Sequence, residues 1–298
     1  MEDNTEVELE EIRNKYRTDY INPLIKDDYN EIFHYTNIYG LEGILKNEKF
    51  WVSHTDFLND KTEKIYTLDL CTEIFVNICK ENKLESKEKD RYIEYFKFIM
   101  NMYFVDYKQE FYTLSFSTNP DSNLLWANYS QNDGYCISFN LFEILEKIKN
   151  QNIVASIVIY DKETQKNTLK GIISNMFKII NRNPSGDLNN KDAAEIKIIG
   201  EFLTWCSIFF KDVVFSQEQE FRIAFYFGEK NNYKCRISHG VFIPYIEWGI
   251  DKPWVSGITI GPKNSMDINI QGLRKFIDLN LYNLSDEKIR KSKIPYRY

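Results

Sequence analysis

The stretch that organises this chain reads Phe215-Ser-Gln-Glu-Gln-Glu-Phe-Arg-Ile-Ala-Phe-Tyr-Phe227. From Glu220 onward, its β-branched and aromatic residues are typical of a strand. Side chains alternate between faces in an extended chain, so Glu218, Glu220 and Arg222 should share one face while the intervening apolar residues point inward. Charged groups beside a buried strand are costly unless they are paired. The cluster is therefore either a surface ion-pair ladder or a catalytic glutamate oriented by an arginine, and the local sequence leaves both interpretations open.

The composition is that of a folded, acidic protein. The chain has 298 residues, of which 43% are hydrophobic and 15% aromatic, so a substantial core is expected. A formal net charge of −6 argues against a broad binding surface for duplex nucleic acid. Five scattered cysteines without C-x-x-C spacing, and only three histidines, argue against a disulfide framework and against a metal site. An acidic N-terminus and no long apolar run predict a cytoplasmic protein that does not enter a membrane.

Strand and helix patterns alternate irregularly along the chain, which predicts an α+β fold. We expect an N-terminal helical or extended segment over residues 1–30, a single α+β domain over 31–280, and a solvated basic tail over 281–298. Helical patterns at about 64–110 and 165–212 are expected to be insertions in that domain.

Shorter elements are predicted between and around these insertions. Strands are predicted at 32–36, 50–53, 111–117, 134–139, 153–160, 220–227, 234–237, 242–245 and 255–260. Short helices are predicted at 38–46, 123–129, 141–149 and 270–279.

Two early segments carry polar groups suited to ligand binding. His34 and Thr36 lie on one face of a short predicted strand, where an imidazole can hydrogen-bond a ribose hydroxyl. A histidine at a strand end is about as often a satisfied core residue. Asn59 and Asp60 suit a substrate loop, but the simpler interpretation is a helix cap.

The middle of the chain adds hydroxyl and aromatic candidates. Ser115 and Ser117 share a face of the central predicted strand, where inward hydroxyls need hydrogen-bond partners. Trp126 and Tyr129 are three residues apart on one predicted helix, a spacing that suits a stacking wall and also ordinary core packing. Lys211 is interpreted as a surface lysine. The chain contains no P-loop, G-x-G-x-x-G, G-x-S-x-G or H-E-x-x-H motif, so most familiar enzyme classes lack support.

Eight short motifs occur in a fixed order. They are Phe33-His-Tyr-Thr36, Leu41-Glu-Gly-Ile-Leu45, Trp51-Val-Ser53, Phe57-Leu-Asn-Asp60 with Glu63, Leu114-Ser-Phe-Ser117, Leu125-Trp-Ala-Asn-Tyr129, Gly134-Tyr-Cys-Ile-Ser-Phe139 and Glu218-Gln-Glu-Phe-Arg222. Together, over about residues 30–262, they resemble a widespread prokaryotic family known as domain of unknown function 2971. The chain departs from that family after Asp60, where Pro and Phe usually precede the Glu, and at Gln131-Asn132-Asp133, where a His often precedes the Gly.

An early strand with H-x-T, a middle strand with S-x-S and a late E-x-E also resemble, more distantly, the ADP-ribosyltransferase plan. That resemblance implies an α+β fold with a split β-sheet core and helical insertions, and it implies NAD as the substrate. By the same resemblance Glu220 would stabilise the ribosyl oxocarbenium ion, Glu218 would position or deprotonate the acceptor, and His34 would hold the NAD ribose. A fixed carboxylate suits a reaction that builds positive charge on a sugar, and it requires no metal.

The resemblance also implies a set of residues around NAD. Thr36 would lie beside the nicotinamide pocket, and Tyr112 or Trp126 would stack on the nicotinamide ring. The full set implied to bind NAD is His34, Tyr35, Thr36, Asn59, Asp60, Tyr112, Ser115, Ser117, Trp126, Tyr129 and Arg222.

Three functions stay open at this point. The first is an NAD-dependent ADP-ribosyltransferase acting on a macromolecular acceptor, with protein slightly favoured over nucleic acid, in the manner of a toxin or anti-phage effector that a partner protein regulates. The second is a non-catalytic nucleotide- or protein-binding module, in which Glu218, Glu220 and Arg222 form a structural network. The third is an NAD glycohydrolase. Under the enzymatic interpretations, His34, Ser115 and Glu220 should converge on one cleft.

Overall fold

The computed structural model describes residues 2–25, 28–57, 62–106, 110–130, 134–149, 151–227, 232–238, 240–264 and 267–295. The chain divides into two compact units, which we call the helical unit and the sheet unit. The helical unit comprises Met1–Lys26, Leu58–Glu110 and Val158–Val214. The sheet unit comprises Asp27–Phe57, Phe111–Ile157 and Phe215–Tyr298. No helix in the described part of the chain is long and apolar enough to span a membrane.

The sheet unit contains a mixed, largely antiparallel sheet. Its strands in the described residues are β1 (Glu31–Thr36), β2 (Lys49–His54), β3 (Phe111–Ser117), β4 (Tyr135–Asn140), β5 (Ile153–Ile157), β6 (Glu220–Tyr226), β7 (Lys234–Ser238), β8 (Val241–Gly249), β9 (Val255–Ile260) and β10 (Ile289–Lys291). The α+β class expected from the sequence is therefore confirmed.

Helices flank the sheet and build the helical unit. They are α1 (Glu2–Tyr16), α2 (Ile38–Asn47), α3 (Thr62–Glu81), α4 (Ser86–Met100), α5 (Asn123–Tyr129), α6 (Leu141–Ile148), α7 (Lys162–Arg182), α8 (Asn190–Phe209) and α9 (Asp267–Leu279). Short π-helical turns cover Arg17–Ile21 and Asn101–Val105, and 3₁₀ turns cover Asn22–Leu24, Thr55–Phe57, Val213–Glu218, Lys252–Trp254 and Asp286–Lys288. Helices α2, α5, α6 and α9 belong to the sheet unit and the others to the helical unit.

Three predicted elements agree with the structure to the residue. Strands β3 and β9 and helix α5 have the predicted bounds. Strand β5 ends at Ile157, three residues before the predicted end at residue 160. The chain leaves the sheet at that point because Ile159 pairs instead with Phe210, within the helical unit.

Strand β3 is the branch point of the sheet. The strand order is β10-β9-β4-β1-β3-β2-β8-β7, and β6 pairs with both β3 and β5. Strand β6 pairs with β3 along the full length of β3, from Phe111 to Ser117. The other edge of β3 is shared, because β1 pairs there only at Ser117 and β2 only at Tyr112 and Thr113. Strands β1 and β2 therefore leave β3 from opposite ends of one edge.

One face of β3 and β6 forms the main core of the sheet unit. On β3 this apolar face consists of Tyr112, Leu114 and Phe116, and on β6 it includes Phe221 and Ile223. Helices α2 and α6 pack against it through their buried leucine and isoleucine residues. Each large apolar side chain buried in this way contributes about 1.5–3 kcal/mol. The inward orientation predicted for Phe221 and Ile223 is confirmed.

The basic C-terminal segment adds a strand to the sheet, while its basic side chains Arg290, Lys291 and Lys293 are exposed to solvent. Strand β10 pairs in parallel with β9, and the Asp121 carboxylate then accepts hydrogen bonds from Ser292 Oγ at 2.6 Å and Lys293 N at 2.8 Å. Two apolar residues within the basic run account for this, because Ile289 packs on the main core and Ile294 on a second cluster. Charge content alone therefore did not indicate that residues 289–294 pair with the sheet.

Candidate functional site

The second face of β3 and β6 is polar although it is largely buried. Ser115 pairs with Arg222, and Ser117 pairs with Glu220. Directly paired residues on antiparallel strands point to the same face. On the far side of β6, Ser156 of β5 pairs with Arg222 and is 1% exposed. We call Ser115, Ser117, Ser156, Glu220 and Arg222 the polar face.

A buried ion pair lies at the centre of the polar face. Arg222 Nε donates to Glu220 Oε1 at 2.7 Å, and Arg222 Nη2 donates to Glu220 Oε2 at 2.9 Å. The two residues are 3% and 7% exposed. Their spacing of two residues puts both side chains on one face of β6, as predicted. Such a bidentate pair fixes the orientation of the carboxylate and offsets part of the cost of burying both charges.

The extended backbone expected at Glu218 is not observed. It ends the 3₁₀ turn Val213–Glu218, and Gln219 follows with φ of 45°, in the left-handed region. This turn interrupts the extended backbone, so strand alternation does not reach Glu218. Its carbonyl accepts a hydrogen bond from Ser117 Oγ at 2.8 Å, and Ser117 Oγ in turn accepts one from Asn119 N at 3.0 Å.

Ser115 is the exposed residue in an otherwise buried strand. Ser115 and Ser117 share a face, as predicted, but the expectation that both hydroxyls point into a packed interior holds only for Ser117. On the edge of β3 shared by β1 and β2, the stretch Leu114–Phe116 pairs with neither strand. We call this stretch the opening.

His34 occupies the opening with its imidazole. Its Nδ1 lies 3.1 Å from the carbonyl oxygen of Ser115. A carbonyl can only accept a hydrogen bond, so Nδ1 carries the proton and Nε2 carries the lone pair. The ring packs edge-on against Phe50 and Phe116, with centroids 5.1 and 5.6 Å away. Burial lowers the pKa of His34 to about 4, which keeps the imidazole neutral near pH 7.

The structure brings His34 close to Ser115 but on the opposite side of the sheet from Glu220. Phe33 pairs with Ser117, so Phe33 shares the face of Glu220 and the next residue, His34, points to the other face. Thr36, two residues further along β1, points the same way as His34 and is partly buried. His34 therefore contacts the Ser115 backbone and not the side chains of the polar face, so the expected convergence of His34, Ser115 and Glu220 on one cleft is not met.

The aromatic rings expected to stack on a ligand lie in the interior. Tyr35 and Trp126 pack edge-on at 4.9 Å, and Trp126 Nε1 donates to Asp121 Oδ1 at 2.7 Å. Tyr35 OH donates to the carbonyl oxygen of Asn119 at 2.8 Å, and burial raises the Tyr35 pKa. Trp126 is fully buried, and so is Tyr112 on the apolar face. These three side chains are core residues in this structure.

Other candidate residues lie apart from the polar face. Tyr129, at the end of α5, is 49% exposed. Asn59 and Asp60 lie outside the described residues. Lys211 is 7% exposed, and its Nζ lies 4.0 Å from Glu63 Oε1 within the helical unit. The expectation of a surface lysine is wrong. The residue before Lys211, Phe210, forms a β-bridge with Ile159, and this pairing holds the Lys211 backbone within the helical unit.

Sequence reasoning overlooked Ser156. It is the one polar residue in the run Ile153-Val-Ala-Ser-Ile157, a signal that an otherwise apolar strand carries a polar group on one face. That signal could have placed Ser156 beside the polar face, but its pairing with Arg222 depends on the strand order. Within the described ranges, no group of three or more His, Cys, Asp or Glu side chains is arranged to hold a metal ion.

Comparisons with known proteins reach only part of the chain. No curated protein and no solved structure matches it. The comparisons add no support for the likeness to ADP-ribosyltransferases, which stays a prediction. One family model matches residues 125–223, a stretch that includes β4, β5 and most of β6 with its Glu220–Arg222 pair. That family is described as a protein of unknown function, DUF2971.

Proposed function

We propose that this chain is an NAD-dependent ADP-ribosyltransferase that modifies a macromolecular acceptor. The observation that supports it best is the exposure of Ser115 at the branch of an otherwise buried sheet. The Ser115 carbonyl accepts from His34 on one side, and on the other side Ser115 pairs with Arg222, which holds Glu220. Ser115 and the fixed Glu220 carboxylate thus share one face beside an exposed position, and His34 holds the Ser115 backbone from the opposite face of the sheet.

The chemistry assigned to Glu220 follows from its charge and its fixed position. Cleavage of the bond between nicotinamide and ribose develops positive charge on the sugar. A preorganised carboxylate stabilises that charge without having to reorient during the reaction. The two hydrogen bonds from Arg222 supply this preorganisation. In this proposal Arg222 is a positioning residue and Glu220 is the catalytic residue.

His34 is a second positioning residue in this proposal, because its Nδ1–H donates to the Ser115 carbonyl oxygen from the face of the sheet opposite Glu220. The ribose would lie on the face shared by Ser115 and Glu220, where the carboxylate can reach the developing positive charge. A protein acceptor fits the net charge of −6 better than a polyanionic nucleic acid does. Control by a partner protein, as in toxin systems, is part of the same proposal.

The test is incubation of the purified protein with labelled NAD and cell lysate. Glu220→Asp retains the charge that Arg222 requires but withdraws the carboxylate by one methylene, so it should fold and lose most of the transfer. Glu42→Asp, an exposed glutamate of α2 paired with Lys46, is the matched control. Label on protein in the wild type and in the control, and not in Glu220→Asp, is the expected result.

Two variants at position 115 probe the exposed part of the polar face. Ser115→Leu should block the surface beside Glu220 and Arg222 and abolish transfer, whereas Ser115→Ala leaves that space open and should retain transfer. Position 115 is solvent-facing, so both variants should change thermal unfolding little. Transfer that persists in Ser115→Leu would remove position 115 from the proposal. Release of nicotinamide without transferred label would indicate an NAD glycohydrolase.

A non-catalytic nucleotide- or protein-binding module is the second candidate. The observation that favours it is the ion pair itself, because Glu220 and Arg222 satisfy each other's charge as a structural pair would. Under this alternative, neither wild type nor Glu220→Asp turns over NAD, and ligand binding survives the substitution.

A further inference from the structure

A cavity of about 680 Å³ lies at the end of the sheet, and none of its described lining residues belongs to the opening. It forms where β1 begins, β4 ends and α6 starts, and it reaches Ser256 of β9 and Lys288. All of its described lining residues belong to the sheet unit. Its volume falls in the range of about 300–1,000 Å³ that small-molecule sites occupy.

Two exposed aromatic residues form an apolar wall of the cavity. Phe142 is 66% exposed and Tyr29 is 39% exposed. The core-facing residues of α6 are Leu141, Ile144 and Ile148, so Phe142 is not needed to bury that helix. An exposed aromatic surface beside a cavity is suited to stack on a flat or weakly polar ring.

A carboxylate and a carboxamide lie side by side in the same cavity. Glu31 of β1 pairs directly with Asn140 of β4, so their side chains share a face with Cβ atoms about 5 Å apart. Ser256 Oγ donates to Glu31 Oε1 at 2.5 Å, which orients the carboxylate. Asn140 Oδ1 accepts from Phe142 N at 3.1 Å, which orients the amide so that its Nδ2 is a donor. An acceptor and a donor held next to each other match two adjacent hydroxyl groups.

The charges of the lining select against strongly charged ligands. Asp28 and Glu31 repel anions such as phosphate, and the Lys288 ammonium repels cations. Two carboxylates and one ammonium leave a small net charge, which a neutral ligand tolerates best. The combination of aromatic wall, oriented donor and acceptor, and balanced charge describes a polar ring with hydroxyl groups.

We infer that this cavity binds a neutral ring that carries a vicinal diol, as a ribonucleoside or a saccharide does. The ring packs against Phe142 and Tyr29, one hydroxyl donates to Glu31, and the adjacent hydroxyl accepts from Asn140. The inference does not depend on the proposed NAD chemistry, because none of these residues belongs to the polar face or the opening.

The test measures binding of adenosine and of methyl β-glucoside to the full chain by isothermal titration calorimetry. At least one of the two should bind, and which one binds identifies the source of the diol. For a nucleoside, 2′-deoxyadenosine should bind about tenfold more weakly, the effect of one lost hydrogen bond to a charged group. Adenosine 5′-monophosphate should also bind more weakly than adenosine.

Variants then assign the binding to the cavity. Glu31→Gln and Phe142→Ala should each weaken binding about tenfold, whereas Phe98→Ala, an exposed phenylalanine of α4, should leave it unchanged. Glu220→Asp should also leave it unchanged, which separates this site from the proposed NAD site. Binding of neither ligand, or binding that Glu31→Gln and Phe142→Ala both leave intact in folded protein, would overturn the inference.

Discussion

The two faces of β3 and β6 are both largely buried, yet they are built from opposite chemistry. The apolar face carries Tyr112, Leu114, Phe116, Phe221, Ile223 and Phe225. The polar face of the same strands carries hydroxyls, a carboxylate and a guanidinium. Burial of an apolar ring is favourable by itself, whereas a buried charge is tolerated only when it is paired and hydrogen-bonded.

This difference indicates what each face does. The apolar face supplies the free energy that holds the sheet unit together. The polar face contributes little net stability, because the favourable interaction of its ion pair is largely offset by the free energy needed to desolvate both charges. Replacing a buried ion pair by apolar residues is accordingly often neutral or stabilising. Departures from local stability rules of this kind concentrate at functional sites. The contrast leads to four predictions on stability.

The largest decrease in the free energy of unfolding should come from a substitution on the apolar face. Phe221→Ala removes a fully buried ring and leaves a cavity, and it should lower the free energy of unfolding by about 3–5 kcal/mol in urea titrations. Val213→Ala, at a position 62% exposed, is the control and should change stability by less than about 0.5 kcal/mol. A small effect at Phe221 would contradict its place in the core.

Breaking the ion pair should cost nearly as much as a core truncation. Arg222→Leu leaves the Glu220 carboxylate buried beside an apolar group and should destabilise the fold by about 3 kcal/mol. The double variant Glu220→Leu with Arg222→Leu should recover most of that loss, because no uncompensated charge remains. Strictly additive losses in this double-mutant cycle would show that the two side chains are not energetically coupled.

Acidification should act through His34 at the opening. Its pKa is about 4 in the folded state and 6.5 in the ordinary state, so the unfolded chain takes up the proton first as the pH falls. The stability contributed by neutral His34 is complete above pH 6.5 and is lost as the pH falls through about 4. Between those limits the wild type should lose about 2 kcal/mol relative to His34→Gln.

Chemical denaturation of both proteins from pH 8 to pH 4 measures that difference. The comparison with His34→Gln removes the contributions of the carboxylates and of the other histidines, which are common to both chains. A constant difference across this range would mean that the imidazole is not desolvated in the opening.

The smallest change in the free energy of unfolding is expected for the serines of the polar face, and it should differ between Ser117 and Ser115. Ser117→Ala loses the hydrogen bond to the Glu218 carbonyl and the one from Asn119 N, and it should cost about 1 kcal/mol. Ser115→Ala, at the exposed position, should change stability by less than about 0.5 kcal/mol. Equal losses at both positions would contradict the difference in burial.

Part of the candidate site was predictable because strand alternation is a local property. Residues two apart on a strand share a face whatever surrounds them, so the common faces of Ser115 with Ser117 and of Glu220 with Arg222 could be predicted. The same rule failed at Glu218, because a left-handed residue at Gln219 ends the extended backbone and carries no strong sequence signal. Burial was also misjudged for Lys211 and Ser115.

The sequence by itself determined the α+β class, most strand and helix positions and the apolar face of the central strands, since these depend on periodicities within a few residues. Only the tertiary structure decided that β1 and β2 share one edge of β3, that His34 fills the opening between them, and that Ser156 and Asn140 meet Arg222 and Glu31 across strands. Pairing between strands distant in sequence depends on the summed packing of the whole sheet, so no local pattern encodes it.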